Sequence, residues 1–100
     1  MIGYYTKFTT SIENRGELAT LLSQAAGAMR RIVECKLYEV ALDVIDATST
    51  VVTEVWADEA AHDASLQSEA AKELILQAAP LMAAPPKQIK SGPVITSWLD

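Results

Sequence analysis

The sequence predicts an α+β fold of the ferredoxin-like kind: elements in the order β-α-β-β-α-β, an antiparallel sheet, and the long helices on one face. Three observations predict it. Stretches rich in β-branched and aromatic residues with two-residue alternation interchange with stretches whose apolar residues recur every three or four positions. Half of the 100 residues are hydrophobic, enough for a packed core. The strand-like stretches also carry apolar side chains on both of their faces.

Residues 4–10, aromatic and Thr-rich, suit a first strand. Asn14 with Glu17 three positions on reads as a helix cap with its reciprocal carboxylate. Leu18, Leu21, Leu22, Ala25 and Met29 then form one apolar helical face. Gly16 and Gly27 lower that helix's propensity, so packing must hold it. Residues 32–42 (IVECKLYEVAL) read as the second strand, 43–49 as a turn, and 50–56 (TVVTEVW) as the third strand. Asp58 caps an Ala-rich helix running toward Gln67. Ser68 caps a further helix with Ala71, Leu74, Ile75, Ala78, Ala79 and Met82 on its buried side, and Pro80 bends or ends it. Residues 87–95 are a weaker strand in which Pro93 must lie at an edge or a bulge. Residues 1–100 are read as one domain, because no long linker, repeat or low-complexity stretch interrupts them.

Alternation assigns the strand faces. Val51 and Val55 point one way and Val52 and Trp56 the other; Leu37 opposes Tyr38, Val40 and Leu42. Helices can cover only one face of such a sheet. The second face is expected to be closed by a second copy of the chain, making a homodimer. A domain of this size buries only about two thirds of its unfolded surface, which favours the same outcome. The apolar tail Val94, Ile95, Trp98 and Leu99 is consistent with it.

Charge and motif content narrow the function. With 8 basic and 13 acidic residues, net −5, the chain has no clustered positive charge for nucleic acid or an anionic membrane. No apolar run approaches the roughly 20 residues of a membrane span, and the opening MIGYYTKFTT is unlike a secretory leader. A single Cys35 and no possible internal disulfide suggest a cytoplasmic protein. One His, one Cys and four scattered glycines form no metal-ligand spacing, phosphate loop or dinucleotide fingerprint, so no bound cofactor is expected.

The segment Glu54-Val55-Trp56-Ala57-Asp58-Glu59-Ala60-Ala61, then Leu66-Gln67-Ser68, Ala79-Pro80-Leu81-Met82 and Pro85-Pro86, resembles the antibiotic biosynthesis monooxygenase (ABM) domain. The resemblance extends back through Arg15-Gly16-Glu17-Leu18, Leu21-Leu22 and Cys35-Lys36-Leu37-Tyr38, and spans from about residue 4 to about residue 95. It implies a dimeric α/β barrel of two ferredoxin-like subunits packed sheet to sheet. Characterised relatives include cofactor-independent monooxygenases of polycyclic aromatic phenols, quinol monooxygenases and haem-degrading monooxygenases. Two departures stand out: Ser65 where members often carry His, and Glu69-Ala70-Ala71 where a Pro-His-Phe-like stretch is common. The positions matching the haem-degrading branch's polar, aromatic and axial residues are Thr6, Ser65 and Ile75. Ile75 cannot ligate iron and Thr6 has no amide, so haem degradation is rejected.

The resemblance points to an oxygenase that lets an electron-rich aromatic anion react with dioxygen in a dry pocket, helped by a base or hydrogen-bond donor. His62 is the candidate base, against a reading as a partly exposed helix residue beside Asp58, Glu59 and Asp63. Trp56 reads first as core and second as a substrate-stacking wall. Glu54, on the face of Trp56, reads first as a structural ion pair with Arg or Lys, or as satisfied by backbone donors at a dimer interface, and second as a general base. Tyr4, Tyr5 and Tyr38 could each aim a hydroxyl into a cavity, and Ser65 could donate a hydrogen bond. Cys35 reads as a small buried apolar residue. The expected function is oxidation of a quinol or polycyclic aromatic phenol with dioxygen and no cofactor. The alternative is a non-catalytic dimeric small-ligand-binding or stress-associated protein on the same fold.

Overall fold

In the computed structural model, residues 1–95 and Ser97 are described. The chain runs β1 (Ile2–Thr9), α1 (Arg15–Met29), β2 (Cys35–Leu42), β3 (Ser49–Trp56), α2 (Glu59–Ser65), α3 (Glu69–Ala78), a 3-10 turn (Ala79–Leu81) and β4 (Lys87–Pro93). The strands form one antiparallel sheet in the order β2-β3-β1-β4. The α+β, ferredoxin-like expectation holds.

The helix-facing side of the sheet is set by alternation along β3. Thr50, Val52, Glu54 and Trp56 are buried, and the intervening Val51, Thr53 and Val55 are only half-buried. Two clusters fill the space beneath the helices. Leu18 and Leu22 of α1 meet Val52 and Ala78 at one end, and Tyr4, Met29 and Trp56 pack together at the other. The opposite side of the sheet presents Leu37, Val51, Val55, Tyr5 and Ile89, with Tyr5 and Ile89 paired across β1 and β4. Both faces therefore carry apolar side chains, as alternation predicts, with Lys7, Glu39, Thr53 and Lys87 interspersed on the open one.

Three local expectations need correction. Asn14 occupies the N-cap of α1, yet its side chain makes no capping bond; the Asn14 N–H instead reaches Ser11 Oγ at 3.3 Å. Its helical backbone angles (φ −89°, ψ −10°) turn the side chain away from the orphan N–H groups that a β-region cap would reach. β2 starts at Cys35, three residues later than expected, because residues 30–34 form the turn that reverses the chain after α1, with Ile32 N–H donating to Met29 and Cys35 N–H to Ile32. In α3, Ala71 and Ala78 are buried, whereas Ile75 and Ala79 are exposed. That face stands off the sheet and leaves a cavity. Leu42, at the open end of β2, is also half exposed.

The caps at Asp58 and Ser68 are formed: Asp58 Oδ1 accepts from Ala61 N–H at 2.7 Å and Ser68 Oγ from Ala71 N–H at 3.1 Å. Pro80 ends α3 in a 3-10 turn. Pro93 lies in edge strand β4, beside Gly92 (φ 84°) and a register shift opposite Gly3/Tyr4. Of the apolar tail, Val94 is half-buried and Ile95 exposed, and Trp98 and Leu99 lie outside the described residues.

Candidate active site

A cavity of about 720 Å³ separates α2 and α3 from the sheet. Thr6, Phe8, Tyr38, Val52 and Glu54 form its sheet side. His62 and Ser65 contribute from α2, and Leu74, Ile75 and Ala78 from α3. Met82 to Pro86, together with Gln88, close one end. Most of these groups are apolar; the polar ones, Thr6, Tyr38, Glu54, Gln88, His62 and Ser65, come from the four strands and α2.

Strand register builds the polar end. Tyr4, Glu54 and Tyr38 are direct neighbours across β1, β3 and β2. Two residues along β3, Trp56 points the same way, and its indole N–H donates to Glu54 Oε1 at 3.0 Å. No Arg or Lys pairs with Glu54 among the described residues, so the expected ion pair is replaced by this single indole donor. Burial raises the Glu54 carboxyl above its ordinary range, opposed by the Trp56 hydrogen bond and by His62 when its ring is protonated.

His62 is brought over this row by α2, whose N-terminus Asp58 caps. It is 3 % exposed, so the partly exposed reading does not hold. Its ring stacks on Tyr4 with centroids 3.8 Å apart and meets the Trp56 indole edge-on at 5.7 Å. Nδ1 lies 3.2 Å from Asp63 Oδ1. An ionised carboxylate only accepts, so a neutral His62 ring in this contact carries its proton on Nδ1 and leaves Nε2 as the open nitrogen. Ser65 Oγ–H donates to the His62 carbonyl at 2.6 Å, which fixes the Ser65 side chain within its own helix.

The candidates thus separate. Glu54, His62, Tyr38 and Ser65 line the cavity. Tyr4 and Trp56 lie behind it as supports; Trp56 is fully buried and acts as core, not as a wall. Tyr5 is the clear correction: it stands on the other face of the sheet, 41 % exposed, opposite Thr53 and Ile89, and does not reach the cavity. Burial pushes up the hydroxyls of Tyr38 and Tyr4, and Glu59 and Asp63 add to the effect on Tyr4, so both phenols are held protonated. Cys35 is half-buried, beside Trp56, and burial raises its thiol pKa too, consistent with an unreactive role. Sequence reasoning missed the Gln88–Thr6 pair at the cavity edge, in which the Gln88 amide donates to Thr6 Oγ1 at 3.0 Å. Only the register of β4 against β1 reveals it.

Thr6, Ser65 and Ile75 all reach this cavity, and their hydroxyl and alkyl groups offer no iron ligand. Among the described residues no three His, Cys, Asp or Glu side chains cluster as a metal site, and no helix is long and apolar enough to cross a membrane.

A concave, mostly apolar space with a few convergent polar groups is the form that small-molecule sites take. The family model for antibiotic biosynthesis monooxygenase matches residues 1–75, and the chain belongs to that family. A provisionally assigned antibiotic biosynthesis monooxygenase from Chloroflexus aurantiacus J-10-fl is 28 % identical, with a TM-score of 0.85 over 99 % of this chain and 98 % of its own. One from Deinococcus radiodurans is 23 % identical (TM-score 0.81; 97 % and 98 % covered). A Mycobacterium tuberculosis protein is 19 % identical (TM-score 0.87; 96 % and 97 % covered). These last two establish likeness of fold alone. No curated protein sequence matches the chain.

Proposed function

We propose that this chain is a cofactor-independent monooxygenase of a quinol or polycyclic aromatic phenol, working as a homodimer. The observation that carries the reading is the apolar cavity with buried Glu54 and His62 at one end. A dihydroxyarene that loses a proton becomes rich enough in electrons to reduce dioxygen itself. The carbon–oxygen bond that forms retains one oxygen atom, the other leaves as water, and the ring is oxidised to the hydroxyquinone, so no external reductant is required. What the protein supplies is a dry space for the ring, a basic Nε2 on His62, and alkyl walls that keep bulk water from the anion.

Oxygen consumption with 1,4-dihydroxynaphthalene, corrected for autoxidation, tests the reading. The unaltered protein is expected to accelerate uptake, with one hydroxylated naphthoquinone formed per dioxygen. His62→Ala is expected to lower the rate by about 10²-fold, the usual contribution of a general base. Tight binding of naphthols with no acceleration across several quinols would instead identify the non-catalytic ligand binder.

A further inference from the structure

Among the described residues the cavity lining holds one carboxylate, Glu54, and no Lys or Arg. Glu54 is buried on central strand β3. Tyr4 from β1, Tyr38 and Cys35 from β2 and His62 from α2 are the titratable groups that face it. One oxygen, Oε1, is held by the indole of Trp56; Oε2 has no hydrogen-bond partner among the described residues. A buried carboxylate with one satisfied and one open oxygen is a poor structural group and a good acceptor for a ligand hydroxyl. It also repels a second negative charge in a low-dielectric space.

We infer that Glu54 is the acceptor that binds the hydroxyl of an uncharged hydroxyarene, that it selects against aromatic acids, and that Trp56 is a positioning residue acting through it. The inference rests on the proposed ligand cavity and adds the group that holds the ligand hydroxyl and the preference for uncharged ligands. In the bound state the ligand O–H donates to Glu54 Oε2. Glu54 holds the hydroxyl as a hydrogen-bond acceptor; in the proposed oxidation the proton passes to His62 Nε2 and the electron pair stays on the ligand oxygen. Trp56 never touches the ligand. Its N–H favours the ionised form of Glu54 and fixes which oxygen is left open.

Fluorescence titration with 2-naphthol and with 2-naphthoate, from about pH 4 to 8.5, tests this. The unaltered protein is expected to bind 2-naphthol at least about tenfold more tightly than 2-naphthoate near pH 7, with naphthol affinity falling in acid as Glu54 protonates. Glu54→Gln is expected to weaken naphthol binding about tenfold, remove the acid limb and narrow the preference over naphthoate. Trp56→Phe removes the bond that favours the charged carboxylate, so its acid limb moves to higher pH, a shift that loss of packing alone does not produce. His62→Asn retains the limb. An infrared carboxyl band that appears as the unaltered protein is acidified, and moves when naphthol is added, supports the same assignment without any variant. Failure of the unaltered protein to bind 2-naphthol overturns the cavity reading and this inference together. Binding whose pH profile survives in Glu54→Gln, or vanishes in His62→Asn, overturns this inference alone.

Discussion

Glu54 is buried on a central strand with one hydrogen-bond donor for its two carboxylate oxygens. Its pKa is raised on folding, chiefly by desolvation. Between the ordinary glutamate value and the raised one, the folded chain holds a proton that the unfolded chain has lost. Stability therefore falls as pH climbs through that window and stays lower above it. Glu54→Gln keeps the indole's acceptor and removes the charge. It is expected to stabilise the protein near pH 7 by on the order of 1 kcal/mol, about 5 °C in Tm. Below about pH 4, where both states are protonated, the gain disappears. Thermal melts at the two pH values read this directly, and a gain that persisted in acid would show that packing, not charge, is responsible. At this scale the sequence was partly legible. Residues two apart on a strand share a face, so Glu54 was placed beside Trp56 correctly. Which donor satisfies it was not readable, since indole orientation depends on how His62 and Tyr4 fill the space above it. Tyr4 and Tyr5 are consecutive, so one of them had to face away; only pairing with β3 and β4 shows which.

The helices show which sequence signals act through local chemistry. Asp58 and Ser68 have extended backbones and accept from the N–H three residues on, whereas Asn14 has helical angles and forms no such bond. All three residue types favour an N-cap, so composition alone did not separate them; the backbone entering the helix did. Urea unfolding should rank the substitutions accordingly: Ser68→Ala and Asp58→Ala each cost about 1 kcal/mol, and Asn14→Ala costs less than about 0.5 kcal/mol. Asp58→Ala carries a second consequence. α2 is only seven residues long and holds His62, so fraying its first turn is expected to weaken 2-naphthol binding, an effect that Ser68→Ala does not share. Equal costs at all three positions would contradict the assigned caps. The face of α3 was read too broadly for a related reason. Helical spacing marks Ile75 and Ala79 as apolar, but it does not distinguish a side chain packed on the sheet from one that walls a cavity.

For the whole molecule, the governing fact is that Leu37, Val51, Val55, Tyr5 and Ile89 lie on the side of the sheet that no helix among the described residues covers. This is the most legible property of the sequence, because two-residue alternation with apolar residues at both parities leaves neither face wholly polar. What alternation could not supply was the strand order that puts Tyr5 and Ile89 next to each other and exposed by 41 % and 63 %. Sheet-to-sheet pairing of two copies would dry this face, and the pairing proposed for this chain makes a specific prediction. The unaltered protein, at micromolar concentration, is expected to scatter light with twice the 10.8 kDa mass of one chain. Tyr5→Lys combined with Ile89→Lys sets four like charges against one another across a two-fold interface, at positions whose side chains are accessible in the single chain. The variant is expected to scatter as a single chain, to keep its far-ultraviolet dichroism, and to melt at lower temperature and independently of concentration, because a dimer's stability contains an association term that a monomer lacks. A double-lysine variant that still scattered at twice the chain mass would move the interface elsewhere. An unaltered protein that scattered as one chain would mean that this apolar face stays in contact with water, and the proposed homodimer would be lost.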